Sequence, residues 1–276
     1  MLSYRHSFHV GNFADVHKHL VLLVALRAMQ IKPTPLFYLE THAGAGLYDL
    51  GDEASQRSGE FRTGIGRLWG HPISSRELVD YLGLVGQFNP DGQLRRYPGS
   101  PVLAYAASRP QDRLALCELH GSDYPLLKRQ FEGDRRVGVH RQDGLLALKA
   151  FLPPKERRLL VLIDPPYERS EEYGEVAQGL RTGYGRWPAG TFVVWYPLLA
   201  RRDLPTLPPK IERSGLRKVL RLELKVKDGP GLCGSGLLIV NPPWQLAEQA
   251  QRLMPLLVDL LDQRGGAWRV DWLVPE

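Results

Sequence analysis

The run Leu159-Leu160-Val161-Leu162-Ile163 passes directly into Asp164-Pro165-Pro166-Tyr167. An unbroken apolar run of this length, closed by a turn signal, reads as a strand buried on both faces, as in parallel sheets. Two prolines in succession fix φ and remove two backbone donors. The turn therefore holds a carboxylate, a bare carbonyl and an aromatic ring in a rigid arrangement. Those groups suit a planar base with an exocyclic amine. Asp164 and the Pro165 carbonyl would accept the amine protons, and Tyr167 would stack on the ring. An amine delocalised into its ring attacks poorly, and such hydrogen bonds pull it toward the pyramidal geometry that in-line attack needs. The same tetrapeptide also occurs as an ordinary strand-to-helix turn, so its surroundings decide.

Outward from this turn, strand-like runs at 36–39, 114–117, 137–140, 191–195, 219–226 and 236–240 alternate with helix-like stretches such as 14–29, 124–131 and 145–151. The alternation predicts an α/β fold built on a doubly wound, Rossmann-like parallel sheet. Its first strand leads into Glu40-Thr41-His42-Ala43-Gly44-Ala45-Gly46, a glycine turn where a nucleoside could approach the backbone. From Gly46 to the next acidic strand end, Glu118, the interval far exceeds the ~20 residues such a unit takes. Within it Leu78, Tyr81, Leu82, Val85 and Phe88 recur at helical spacing, and Tyr97-Pro98-Gly99-Ser100-Pro101 marks a return to the sheet. Residues 1–49 and 98–276 are therefore expected to form the core, with 50–97 an inserted small helical subdomain.

A net charge of +6 attracts polyanions without selecting one. Basic residues cluster at Arg57, Arg62 and Arg67, at two arginine doublets, and between Arg213 and Lys227, which together favour a nucleic-acid partner. No segment is long and apolar enough to span a bilayer, and the polar opening residues do not read as a signal peptide, so a cytoplasmic protein is expected. Cys117 and Cys233 are isolated, which predicts neither a disulfide framework nor a zinc site.

Three further features are expected to converge on a nucleoside near Asp164. Gly44 and Gly46 shape the glycine turn, Glu118 could accept both ribose hydroxyls, and Asp143-Gly144 could meet an adenine amine. Each is weak alone. Their order along the chain resembles the layout of S-adenosylmethionine-dependent methyltransferases, and the double-proline turn resembles that of amino methyltransferases. Asn241-Pro242-Pro243-Trp244 mimics this turn, but it ends the second strand of an expected hairpin. That strand would run antiparallel and end away from the ligand edge. The N-terminal histidines His6, His9, His17 and His19 do not share one helix face and no cysteine joins them, so no metal site is expected.

Tyr4-Arg5-His6-Ser7-Phe8-His9-Val10-Gly11-Asn12, continuing through Ala14-Asp15-Val16 and Lys18-His19, resembles the opening signature of the bacterial 23S ribosomal RNA adenine-N6 methyltransferase J family. Residues 41–46, 97–101 and 164–167 resemble it too, as does the closing Trp272-Leu273-Val274-Pro275-Glu276. Glu40 stands where that family often has another acidic residue, aspartate. The resemblance implies that His19, His42, Ser100, Glu118, Asp143, Gly144 and Asp164 line an S-adenosylmethionine site, and that Tyr4, His6 and Lys18 face the adenine. It implies methylation of a single adenine of 23S rRNA, free or in an assembling large-subunit precursor, with S-adenosylhomocysteine as product and no metal. A monomer is expected. Read from the residues alone, a DNA adenine methyltransferase and a non-catalytic RNA-binding protein on the same fold remain open.

Overall fold

The computed structural model describes residues 6–200 and 206–276. After a short turn at His6–Phe8, the chain forms α1 (Phe13–Gln30), β1 (Phe37–Glu40), β2 (Leu47–Asp49), α2 (Glu53–Ser58), α3 (Ile65–Leu68), α4 (Arg76–Gly86) and β3 (Arg96–Pro98). It continues with α5 (Ser100–Ala107), β4 (Arg113–Cys117), α6 (Asp123–Gln130), β5 (Val137–His140), α7 (Gly144–Phe151), β6 (Leu159–Ile163), α8 (Glu172–Arg186) and β7 (Thr191–Leu199). The last elements are α9 (Pro208–Glu212), β8 (Val219–Lys225), β9 (Leu232–Val240), α10 (Leu246–Leu261) and β10 (Ala267–Val274).

Eight strands make one sheet in the order β10-β8-β9-β7-β6-β1-β4-β5. The pairs among β5, β4, β1, β6 and β7 are parallel, whereas β9 runs antiparallel to both β7 and β8. All five residues of β6 are buried because both faces of the sheet are covered. Its side chains alternate accordingly. Leu160 and Leu162 join the apolar cluster built around α1, α5 and α10, and Leu159, Val161 and Ile163 join the one under α7 and α8. Each fully buried leucine is worth roughly 1.5–3 kcal/mol of burial.

α1 is the central helix of the first layer, buried from Phe13 through Leu26. Asn12 caps it, its side chain accepting from the backbone N–H groups of Ala14 and Asp15 at 2.9 and 3.0 Å. The expected hairpin is present as β8 and β9, and β10 extends the sheet beyond it, pairing antiparallel with β8. That edge strand has no counterpart in the sequence reading.

β2 and β3 pair antiparallel, and α2, α3 and α4 lie between them in the chain. Leu78, Tyr81, Leu84 and Val85 of α4 are buried in the same apolar cluster as α1. Gly64 touches the N-terminal segment so closely that a Cβ there would lie 2.1 Å from the Gly11 carbonyl oxygen, and Ile65 N–H donates to that oxygen at 2.8 Å. No helix among the described residues is long and apolar enough to cross a membrane.

Candidate active site

Strand order reverses beside β1: the chain moves outward through β4 and β5 on one side, then through β6 and β7 on the other. Ligands of open α/β sheets bind at the carboxyl ends of the strands at such a reversal. A cavity of about 400 Å³ lies there, closed on the far side by the N-terminal segment and the start of α1. His6, Lys18, His19, His42, Gly44, Ser100, Glu118, Asp143, Gly144, Asp164, Pro165 and Tyr167 all line it. Residues from α1, α5 and α7 and from the ends of β1, β4, β5 and β6 are thereby brought to one place. Gly46 does not line the cavity. It has φ +88°, its carbonyl accepts from Gly99 N–H at 2.7 Å, and a Cβ there would press on Leu127, so it shapes the turn from behind. Tyr4 lies outside the described residues.

One half of the cavity suits a nucleoside. Gly44, with φ +64°, donates its N–H to Glu118 Oε2 at 2.7 Å, and His120 N–H donates to Glu118 Oε1 at 2.6 Å. Burial pushes the Glu118 carboxyl up, and those two N–H groups work against the shift. Asp143 spends Oδ1 on capping α7, accepting from Leu145 and Leu146 N–H, which leaves Oδ2 for a ligand. Gly144 is confined by backbone: a Cβ would lie 1.9 Å from Thr41 O. His42 is held by Thr41 Oγ1 at 2.8 Å, and burial pushes it down to about 4, so it is neutral at pH 7. Ser100, at the start of α5, donates to Glu40 Oε1 at 2.5 Å. Burial pushes Glu40 up to about 8, against the hydrogen bonds from Ser100 and Tyr38. The volume, the paired glycines and the two carboxylates at successive strand ends fit S-adenosylmethionine.

The other half is built around Asp164 at the end of β6. Lys18 Nζ lies 2.5 Å from Asp164 Oδ2 and 3.0 Å from Asp15 Oδ1. Burial disfavours the ammonium, but Asp15 and Asp164 outweigh it and hold the Lys18 pKa above its ordinary value. Asp164 Oδ1 has no hydrogen-bond partner among the described residues and is the acceptor left for a ligand. Lys18 is only 4% exposed, so its charge acts on Asp164 rather than on open space. Tyr167 has φ +51°, a left-handed conformation that costs a bulky residue about 1–3 kcal/mol. Its hydroxyl donates to the Trp195 carbonyl at 2.8 Å, and its ring packs on Tyr173 with centroids 4.4 Å apart, which together hold it there.

Sequence reasoning missed Asp15 and Trp195. Trp195 lies on β7 and lines the cavity. Its indole N–H donates to Ser235 Oγ at 3.0 Å, and its ring stands 5.9 Å from Lys18 Nζ. Ser235 also meets His17 Nδ1 at 3.0 Å, and His19 Nδ1 lies 2.8 Å from the Tyr97 hydroxyl. These contacts span up to 218 residues of chain, so no local pattern announces them. Asn241, the mimic, sits at the opposite edge of the sheet, where its side chain donates to the carbonyls of Pro188 and Gly190 before the start of β7.

A Rossmann-like sheet with this cleft at its switch point defines an α/β protein of the nucleoside-binding class. The family described as "Ribosomal RNA large subunit methyltransferase D, RlmJ" matches residues 33–274. The chain is 46% identical to the ribosomal RNA large subunit methyltransferase J of Escherichia coli (strain K12) and 43% identical to that of Haemophilus influenzae, in both cases over 100% of each chain. A crystal structure of a Legionella pneumophila protein, 35% identical, has a TM-score of 0.88 and covers 96% of this chain and 98% of that one. The chain belongs to the ribosomal RNA large subunit methyltransferase J family.

Proposed function

We propose that this protein methylates the N6 amine of one adenine in the 23S RNA of the large ribosomal subunit, acting in the cytoplasm as a monomer on the RNA or an assembling particle. Membership of a family whose relatives are named for large-subunit rRNA methylation supports the substrate class. The observation that carries the N6 reading is Asp164, paired with Lys18 through Oδ2 with Oδ1 left open, beside the Pro165 carbonyl and the Tyr167 ring.

S-adenosylmethionine, when bound, supplies an electrophilic sulfonium methyl, with S-adenosylhomocysteine as the product. His19, His42, Gly44, Ser100, Glu118, Asp143 and Gly144 form the half of the cleft that would hold it. Tyr167 offers a stacking face to the adenine, His6 and Lys18 line the same cleft, and Tyr4 is assigned to the adenine with them. Asp164 Oδ1 and the Pro165 carbonyl accept the two amine protons, directing the nitrogen lone pair at the methyl group. The methyl group would pass from the cofactor sulfur to N6, and Asp164 would receive the surplus N6 proton. Positioning supplies most of the acceleration, because no covalent enzyme intermediate is needed.

The test is to map N6-methyladenine in 23S rRNA from cells lacking the protein. One adenine should lose its methyl group and regain it when the wild-type chain is restored. Unchanged rRNA together with lost methylation of DNA would transfer the activity to a DNA substrate.

A further inference from the structure

Asp15 is a buried carboxylate, 1% exposed, in the first turn of α1. Its Oδ2 accepts from Gly11 N–H at 2.9 Å and lies 2.9 Å from His6 Nε2. Its Oδ1 lies 3.0 Å from Lys18 Nζ and 3.9 Å from His19 Nε2. Helical spacing explains the second pair, since residues three and four places on share one face with Asp15. Gly11 explains the first: with φ +68° it turns the preceding segment back so that His6 reaches the same carboxylate. One side chain therefore touches His6 and Lys18 from the base-facing half of the cleft, and approaches His19 from the half assigned to the cofactor.

We propose that Asp15 is a positioning residue for the base-facing half of the site, acting by holding Lys18 against Asp164. The inference rests on the N6-methylation reading only for the identity of the acceptor. A lysine has four rotatable bonds, and Asp164 alone would fix one end of an ammonium that is otherwise taken from water. A second carboxylate on the helix that carries the lysine fixes its direction as well as its charge. With Asp15 in place the ammonium stays on Asp164 Oδ2, which reserves Oδ1 for the amine. The His19 ring keeps a second support, the Tyr97 hydroxyl, so its place does not depend on Asp15 alone.

The experiment is a double-mutant cycle of Asp15→Asn and Lys18→Met, measured in single-turnover methylation of large-subunit RNA and in titration with S-adenosylmethionine. Asp15→Asn keeps the shape and the acceptor for Gly11 N–H but loses the charge. It should lower the single-turnover rate about 10- to 100-fold, the scale of a misplaced reacting group. Cofactor affinity should change by less than about threefold, as expected for a group outside direct contact. In the double variant the rate should match Lys18→Met alone, because Asp15 acts through Lys18. A further tenfold loss in the double variant, or an equal loss of cofactor affinity and rate in Asp15→Asn, would overturn the proposal. If the lone Asp15→Asn chain does not fold, the comparison of the double variant with Lys18→Met still decides, since both charges of that pair are then removed together. The wild-type product separates the two questions: methyl groups found elsewhere than adenine N6 end the functional reading and leave the coupling of Asp15 to Lys18 to be judged on its own.

Discussion

Glu118 fastens the glycine turn: its Oε2 accepts the Gly44 N–H at 2.7 Å, so the end of β4 sets the position of the loop that follows β1. The carboxylate is oriented by this bond and by His120 N–H, and its remaining lone pairs face the cleft. Glu118→Ala should therefore weaken S-adenosylmethionine binding by about 1.5–3 kcal/mol, the range for hydrogen bonds to a charged group. Glu118→Gln should lose less, because one carbonyl oxygen remains. Calorimetric titration measures both, and an unchanged affinity in Glu118→Ala would assign the ribose to another group.

The mimic turn gives a prediction of opposite kind. Asn241 bonds the carbonyls of Pro188 and Gly190 at 2.7 and 2.9 Å, and its own carbonyl accepts from Thr191 Oγ1 at 2.8 Å. Asn241→Ala should cost about 1–3 kcal/mol of stability, from two lost hydrogen bonds, and leave turnover within a few-fold of wild type. Denaturant titration and a methylation assay test this together. Lost turnover in a stable variant that still binds cofactor would show that the turn reaches the chemistry.

The two double-proline turns also mark how far the sequence can be read. Both follow apolar strands, and only topology separates them. The Gly- and Pro-rich loop between β8 and β9 announced a hairpin, and hence that Asn241 ends an antiparallel strand. Strands on the parallel side were legible because burial on both faces leaves unbroken apolar runs, as in β6. β10 was not, because its Trp, Arg and Asp residues belong to a half-exposed edge. Within the site, residues carried by a strand end or a glycine turn could be located. Partnerships could not. Lys18 reads as a basic group free to meet a base, yet it is enclosed by Asp15 and Asp164, and the second of these arrives from a strand 146 residues away. Trp195 reads only as the end of a strand-like run, and its contacts with Ser235 and Lys18 come from distant parts of the chain.

Three imidazoles, those of His17 and His19 buried and that of His42 half-buried in the cleft, resist protonation in the fold. Burial pushes His17 and His19 down to about 3, with Asp15 opposing the shift at His19, and His42 down to about 4. Their unfolded counterparts take up protons near 6.5, so between the two values the unfolded chain binds more protons than the native one. Each imidazole thus contributes stability that is present above ~6.5 and lost as the pH falls, by about 1.4 kcal/mol per pH unit. Glu40, pushed up to about 8 by burial, has the opposite sign and offsets about one of the three where the windows overlap. Denaturant midpoints should therefore drop steeply from about pH 6.5 to about pH 5, before most carboxylates titrate. Stability that stays flat over that interval would mean that these histidines ionise in the folded protein.

The most direct test of the central claim is the fate of a labelled methyl group in the presence of wild-type protein and the Asp164→Ala variant. Purified enzyme, labelled S-adenosylmethionine and undermethylated large-subunit RNA are combined, and the RNA is digested to nucleosides. The wild-type chain should place the label on N6-methyladenosine alone. Asp164→Ala should place none, while its melting profile and cofactor binding show that the fold and the other half of the cleft survive. A folded, cofactor-binding Asp164→Ala protein that methylates at the wild-type rate, or a wild-type product other than N6-methyladenosine, would contradict the account.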